Sequence, residues 1–581
     1  MLFMREIIFW IGCTLAFLCP AAGYGNEETY VQAVHAHLRI KDFGSASQEA
    51  KEGLYLFPYS KPLWAAYIKA LAKQGNEKEM LAIWKNYIEI FPEEKNNRAL
   101  IETLAWGVIE HATFSSLPTI RFMSILSAFF SQDVKGIKIL LKGLRDKNSA
   151  LRSASAQMSA HCRDQEIKEE ILRLFREETV WNVRLQVIRT LGLMKMKEAK
   201  QALLALLQKT TTTAEETRVV IESLVNLWGV ATREDISRLA KNKRAALRLL
   251  ACEVVAHCNM KDAIDLIIPL INDSHAQVRQ AALWVSGYLR IQEVKGETLL
   301  LIAEKKLEDI DPLVGIKAAW LLTLNNSLKG QEAFTKCLES PSRDVRIIAA
   351  ANLAACGKYG FPLIEEQFKK STDPYVRINL ALGLISQRAE IQKACQALYQ
   401  GLAHLKEKWS WDEKSHVRAL IPNRLRHSDD PDISPAIIDQ ITRLEILNIL
   451  AIMRYPQAQQ AIKSFLEEKT WGITAMASAT LLSEGDQMAL DLVQELLNDE
   501  DVQVRVQAAL IMARWGKSET ALQTLSKAFP GVDREMKEHI LEGIMHVSSP
   551  QSIPFLLDCL QDPYQSLRVI AAAGLIMCLY H

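Results

Sequence analysis

What this 581-residue sequence lacks narrows its possibilities first. Glycine (25) and proline (18) are too sparse for a collagenous or low-complexity chain. With 49% hydrophobic and 24% charged residues, the composition is that of a folded protein. Neither sign of charge is in excess: 69 Lys and Arg face 68 Asp and Glu. No overall field would draw in a polyanion, so nucleic acid is not an expected partner. None of the ten cysteines belongs to a Cys-x-x-Cys pair, and the nearest two, Cys252 and Cys258, have a spacing that zinc sites rarely use. The sequence contains no Gly-x-Gly-x-x-Gly, Gly-x-x-x-x-Gly-Lys-Ser/Thr, His-Glu-x-x-His or Gly-x-Ser-x-Gly. Dinucleotide, P-loop, zinc-protease and serine-hydrolase chemistry therefore lose their support. No cofactor, metal or catalytic residue is expected.

Long apolar runs are missing too, except at the start. An apolar run from Ile7 to Cys19 is followed by Pro20, Ala21, Ala22, Gly23, Tyr24 and Gly25. A basic start, a short apolar core and small residues before a cut site form the layout of a signal peptide, here residues 1–25 with cleavage near Gly23 or Gly25. An N-terminal membrane anchor would need about 20 apolar residues. The chain is thus expected to be exported, to the periplasm, the cell envelope or the medium of a bacterium, with no membrane span after signal cleavage. The cysteines beyond the signal sit among Ala and Leu, as small core residues do.

A chain of this length is either several globular domains or an array of repeats. From Ala33 to Ala112 the spacing is about 34 residues, marked by Phe57-Pro58 and Phe91-Pro92. Leu63-Trp64, Tyr67 and Leu71 lead to Gly75, and Met80, Trp84 and Tyr87 follow. The apolar spacing lays one stripe on each helix, glycine marks the turn between helices, and proline stops the second helix. This pattern resembles the tetratricopeptide (TPR) family and assigns residues 26–113 to TPR-like helical repeats.

Beyond residue 113 another signature recurs, written most cleanly as Asp499-Glu-Asp-Val-Gln-Val-Arg505-Val-Gln-Ala508-Ala509. An acid precedes the basic residue by six positions at Asp146/Arg152, Asp273/Arg279, Asp311/Lys317 and Asp562/Arg568. Successive basic residues are Arg152, Arg184, Arg218, Arg248 and Arg279, then Arg346 and Arg377, then Arg443, Arg505 and Arg568. The period is about 31, the length of two helices and two short turns. Asp or Ser would cap the second helix of each pair. The arginine would pair with that turn Asp, and the following Ala-Ala would keep one helix face thin for close stacking. The pattern departs from regularity near 210–213, 289–313 and 528–535.

These motifs, above all Asp273 to Ala282 and Asp562 to Ala572, resemble the HEAT-repeat family, in particular its short variety named after phycobilisome lyases. The resemblance implies an all-α fold, a right-handed superhelical α-solenoid of helical hairpins over residues 114–581, and a noncatalytic scaffold that binds protein partners along an extended concave face. Two other readings stay open. One is a helper or lyase-like protein acting on a chromophore-bearing or otherwise modified partner. The other is a structural component of an envelope or secretion assembly. Deoxyhypusine hydroxylase, a HEAT-repeat oxygenase, holds its irons on His-Glu dyads. Here Glu110-His111 and Glu538-His539 have the reverse order and no repetition, so the resemblance implies no metal.

Near residues 402–435 the hairpin periodicity fails. The step from Arg377 to Arg443 is close to two periods, so an enlarged repeat rather than an inserted domain is expected there. Trp409 and Trp411 with Arg418, Arg424 and Arg426 are the candidate partner-binding residues, because aromatic and arginine side chains dominate interface hot spots. The competing expectation is that the tryptophans cover a gap in the solenoid.

Overall fold

The computed structural model describes residues 26–131, 133–294, 297–412, 416–423, 435–467, 487–515 and 518–580. The expected signal peptide, residues 1–25, and Arg424 and Arg426 lie outside them. The chain forms two compact units. Unit 1 holds residues up to 139 together with 544–581, and unit 2 holds 140–543.

Unit 1 begins with α1 (Glu27–Arg39), α2 (Phe43–Leu56), α3 (Lys61–Gln74), α4 (Glu77–Ile90), α5 (Arg98–Ala112) and α6 (Pro118–Ser131). Each of the first five starts at a polar residue, Asn26, Asp42, Ser60, Asn76 or Asn97, whose side chain accepts from a main-chain N–H of the first turn. Gly75 ends α3 at φ 80°, the left-handed conformation that lets α4 fold straight back. Trp64, Tyr67, Met80, Trp84 and Tyr87 all turn into the core between these helices.

In unit 2 the second helices of successive hairpins stack on one another as one layer. They are α7 (Ser149–Ser159), α8 (Trp181–Leu193), α9 (Ala214–Leu227), α10 (Ala245–His257), α11 (Ala276–Tyr288), α12 (Pro312–Leu324) and α13 (Arg343–Ala354). First helix α14 (Phe361–Lys370) leads to second helix α15 (Pro374–Ser386), and first helix α16 (Ile391–His404) leads to second helix α17 (Pro435–Ile452). The fold is an α-solenoid of stacked helical hairpins. The small residues expected to thin the stacking face do so: Ala349, Ala350, Ala508 and Ala509 are completely buried. Among the described residues only two small antiparallel ladders interrupt the helices. One pairs β1 (Glu293–Val294) with β2 (Glu297–Thr298), in the stretch where the repeat pattern loses its regularity. The other pairs β3 (Trp409–Asp412) with β4 (Ala419–Pro422). No helix among the described residues is long and apolar enough to cross a membrane.

The last helix, α18 (Gln565–Tyr580), packs on α5 and α6 and completes unit 1. Arg568 donates from Nε to Glu77 Oε1 at 2.7 Å, and the Tyr580 hydroxyl donates to Glu102 at 2.6 Å. The guanidinium of Arg98 lies 4.9 Å from the Tyr580 ring centre and donates to the Leu579 carbonyl. The two ends of the sequence therefore share one core.

Candidate functional site

The repeated arginine is built into the stacking. In the first turn of its helix it donates from Nη1 back to the main-chain carbonyls six and five positions earlier. Arg152 does so to Asp146 and Lys147, Arg248 to Asn242 and Lys243, Arg279 to Asp273 and Ser274, and Arg346 to Ser340 and Pro341. These carbonyls sit at the exposed end of the preceding helix or turn, where no helical N–H reaches them. The rest of the guanidinium reaches forward to a carboxylate of the next repeat: Arg152 to Glu178 at 2.8 Å, Arg184 to Glu216 at 3.0 Å, Arg248 to Asp273 at 2.8 Å and Arg279 to Asp309 at 2.6 Å. This corrects the expected pairing with the turn Asp of the same repeat. That Asp is six residues back and offers its carbonyl, while its carboxylate accepts the N–H two residues on, as Asp273 does from His275 at 2.9 Å. Asp311 and Asp373 do cap helices, at α12 and α15. Burial alone would raise the Asp273 and Asp309 carboxyls, but the arginine and main-chain hydrogen bonds outweigh it and hold both below the ordinary range.

At α12 the arginine is replaced by Lys317, which is completely buried. Its ammonium donates to Asn352 Oδ1 at 2.8 Å and lies 4.8 Å from the Trp320 ring centre. Burial lowers its pKa to about 7.

The departure from regularity is the β3–β4 hairpin, which grows from the turn between α16 and α17. Trp409 pairs with Pro422 and Trp411 with Leu420. The hairpin lies on the layer of second helices, with β4 against α13 and α15 and β3 against α17. Asn379 of α15, itself buried, clamps it: its Oδ1 accepts from Leu420 N and its Nδ2 donates to Leu420 O, both at 2.9 Å. The Trp409 ring meets Tyr375 edge-on, with centres 6.3 Å apart, and lies 4.7 Å under the Arg443 guanidinium. Gly401 makes room for it, since a Cβ there would lie 3.3 Å from the indole and 2.7 Å from Ile378. Near the tip, the His416 ring stacks on Trp284 of α11 at 4.3 Å, and its Nε2 is 2.8 Å from Glu253 Oε1 on α10. The hairpin thus reaches from α17 back along the layer as far as α10.

A sequence profile described as HEAT repeats matches residues 137–224 and 489–576. The chain carries HEAT repeats. No curated protein matches it in sequence. Among solved structures it is similar to the UNC-45 chaperone described as binding and folding muscle myosin, at 11% identity over 91% of this chain and 72% of that one, with a TM-score of 0.34. It is also similar to Kap121p (11%, covering 95% and 77%, TM-score 0.36) and to yeast importin-beta (12%, covering 82% and 73%, TM-score 0.33).

Within the solenoid three of the candidate residues lie together on one hairpin and differ in exposure. Trp409 is completely buried. Its indole fills the space above Gly401. Trp411 is only half-buried and donates from Nε1 to Glu445 of α17. Arg418 stacks on the Trp411 ring at 4.6 Å, donates to the same Glu445 at 3.1 Å, and keeps 54% of its side chain exposed. Sequence reasoning missed Asn379, Trp284 and Glu253, which seat the hairpin from helices far away in sequence. Only the exposed-looking Trp284 on an otherwise small-residue helix could have hinted at them.

Among the described residues no group of three or more His, Cys, Asp or Glu side chains is placed to hold a metal ion. None of the eight described cysteines is in a disulfide, and Cys252, Cys356, Cys395, Cys559 and Cys578 are buried. Burial pushes the Cys395 thiol up to about 11 and the Cys578 thiol up to about 12, away from the reactive thiolate.

Proposed function

We propose that this HEAT-repeat chain is a noncatalytic protein-binding scaffold, exported from a bacterial cell. Its partner docks on the layer of second helices where β3–β4 rides over α13, α15 and α17. Trp411 and Arg418 are its contact residues there, joined by Arg424 and Arg426 of the segment that follows. The observation that supports this is a contrast in exposure within the hairpin. Trp409, Ala419 and Leu420 are completely buried, while Trp411 is half-buried under the largely exposed Arg418. A rigid aromatic platform beside a planar cation is the kind of group on which interface binding energy concentrates. Repeat arrays add to such a focus by spreading many modest contacts over a long face.

The test uses the mature chain as bait in a native envelope fraction. Recovery of one protein in a fixed ratio, reduced when Trp411 is changed to Ala, is the expected result. Equal recovery with Trp411→Ala, or no protein recovered at all, would sink the reading.

A further inference from the structure

Two of the repeated arginines donate to neither a main-chain carbonyl nor a carboxylate among the described residues: Arg218 of α9, which is largely exposed with Glu222 3.9 Å away, and Arg377 of α15, whose Nε is buried. The neighbours of Arg377 show what it lacks. Arg346, one repeat earlier, holds the carbonyls of Ser340 and Pro341 and the carboxylate of Asp373. The carboxylate for Arg377 should come from the turn after α16, which is where the hairpin has been inserted. Glu407 of that turn goes instead to Arg343, at 3.4 Å. Arg377 is left with its guanidinium 5.2 Å from the Phe368 ring centre and with a buried Nε that finds no acceptor. A guanidinium N–H held away from water without an acceptor is costly, and such groups are rare unless something completes them.

This guanidinium opens into a pocket of about 410 Å3 between α14, α15 and α16. Two lysines line it, but each is already matched: Lys369 with Glu365 at 2.6 Å and Lys393 with Glu390 at 2.5 Å. The charge left over is that of Arg377. Gln396 and Gln400, one helical turn apart on α16, add two exposed amides to the same wall. A planar cation with a free edge, flanked by amide donors, is matched by a planar anion that can accept two parallel hydrogen bonds.

We infer that this pocket binds a carboxylate, supplying from outside the acid that the next repeat supplies elsewhere in the ladder. The carboxylate belongs either to an acidic side chain of a protein segment or to a free small dicarboxylic acid. The site uses neither Trp411 nor Arg418, so its failure would leave the scaffold reading standing, and the failure of that reading would leave the pocket standing.

The experiment is an anisotropy titration of the full mature chain with fluorescein-labelled hexaglutamate at low salt, competed with glutarate and, separately, with inorganic phosphate. Saturable binding is expected. Arg377→Gln should weaken it by at least about tenfold, the loss of one charge-assisted contact. Arg377→Lys, which keeps the charge but not the fork, should fall between. Lys370→Gln removes one positive charge from the same helix outside the pocket and should stay within about twofold of wild type, as a screened surface charge does. Displacement by glutarate at matched carboxylate concentration identifies a free acid as the source, and displacement by unlabelled peptide alone identifies a protein segment. Absence of saturable binding, an equal loss in Lys370→Gln, or phosphate competing as well as the carboxylates would overturn the assignment.

Discussion

Two repeats of unit 2 use the same arginine across very different turns. From the first helix that ends at Asn272 to α11 the turn is short: Arg279 reaches carbonyls five and six residues back and then the next repeat's Asp309. Between α16 and α17 the β3–β4 hairpin intervenes, yet Arg443 still gathers the carbonyls of Leu402, Leu405 and Glu407, at 3.3, 3.0 and 3.1 Å. The insertion leaves the end of the first helix tied to the middle of the second. The solenoid can therefore accept a long excursion at this turn without losing its stacking, because the arginine rather than the length of the turn holds the two helices in register. What the excursion adds is surface on the layer of second helices.

The comparison can be broken at either end, and the largest effect should come from the hairpin's seat. Trp409→Ala empties a fully enclosed space beside Tyr375 and Gly401 and should lower stability by about 3–5 kcal/mol in chemical denaturation. A loss below about 1 kcal/mol would mean that the hairpin is not seated as described. The regular ladder is tested next. Asp309→Asn leaves Arg279, almost wholly enclosed, without its charge partner and should cost about 3 kcal/mol. Because the folded Asp309 and Asp273 carboxyls lie below their unfolded value of 3.8, the stability they contribute is complete above that value. It is lost as the pH falls further through the folded values. Asp309→Asn should remove part of that acid sensitivity, read as a flatter dependence of melting temperature on pH below about 4.

Lys317 sharpens the contrast from within the ladder, since it occupies the arginine position without a carboxylate. Its folded pKa of about 7 lies below the ordinary 10.5, so burial opposes the folded state fully below about pH 7. That opposition fades as the pH rises to 10.5, so stability should climb across this window. Lys317→Met, similar in length and apolar, should raise stability at pH 7 by about 2 kcal/mol and flatten the climb. Unchanged pH dependence in the variant would remove Lys317 as its source.

Much of this was legible in the sequence wherever a constraint is local. The six-residue step from acid to arginine shows because the guanidinium must return to the turn it has just left. The Ala-Ala pair shows because it sits one helical turn further along. The β3–β4 hairpin lies within the near-double step from Arg377 to Arg443. The partners of the ladder were not legible: Glu178, Asp273 and Asp309 lie most of a repeat ahead of their arginines, and many acids stand at similar separations. Nor were the strands. Four residues on each side are too few for an alternating pattern to register, and what holds them comes from Asn379, Gly401 and Glu253, chosen by stacking rather than by sequence spacing. The two tryptophans looked alike in sequence, and only the packing against Gly401 tells the buried one from the half-buried one.

The claim that matters most is that Trp411 and Arg418 bind the partner while Trp409 only seats the hairpin. Arg418→Glu tests this directly, by recovery of the captured partner alongside a melting curve. Arg418 is largely exposed, so the melting temperature should stay within about a degree of wild type, while recovery should fall at least about tenfold through charge reversal at the contact. Full recovery of the partner by Arg418→Glu, at an unchanged melting temperature, would contradict the account.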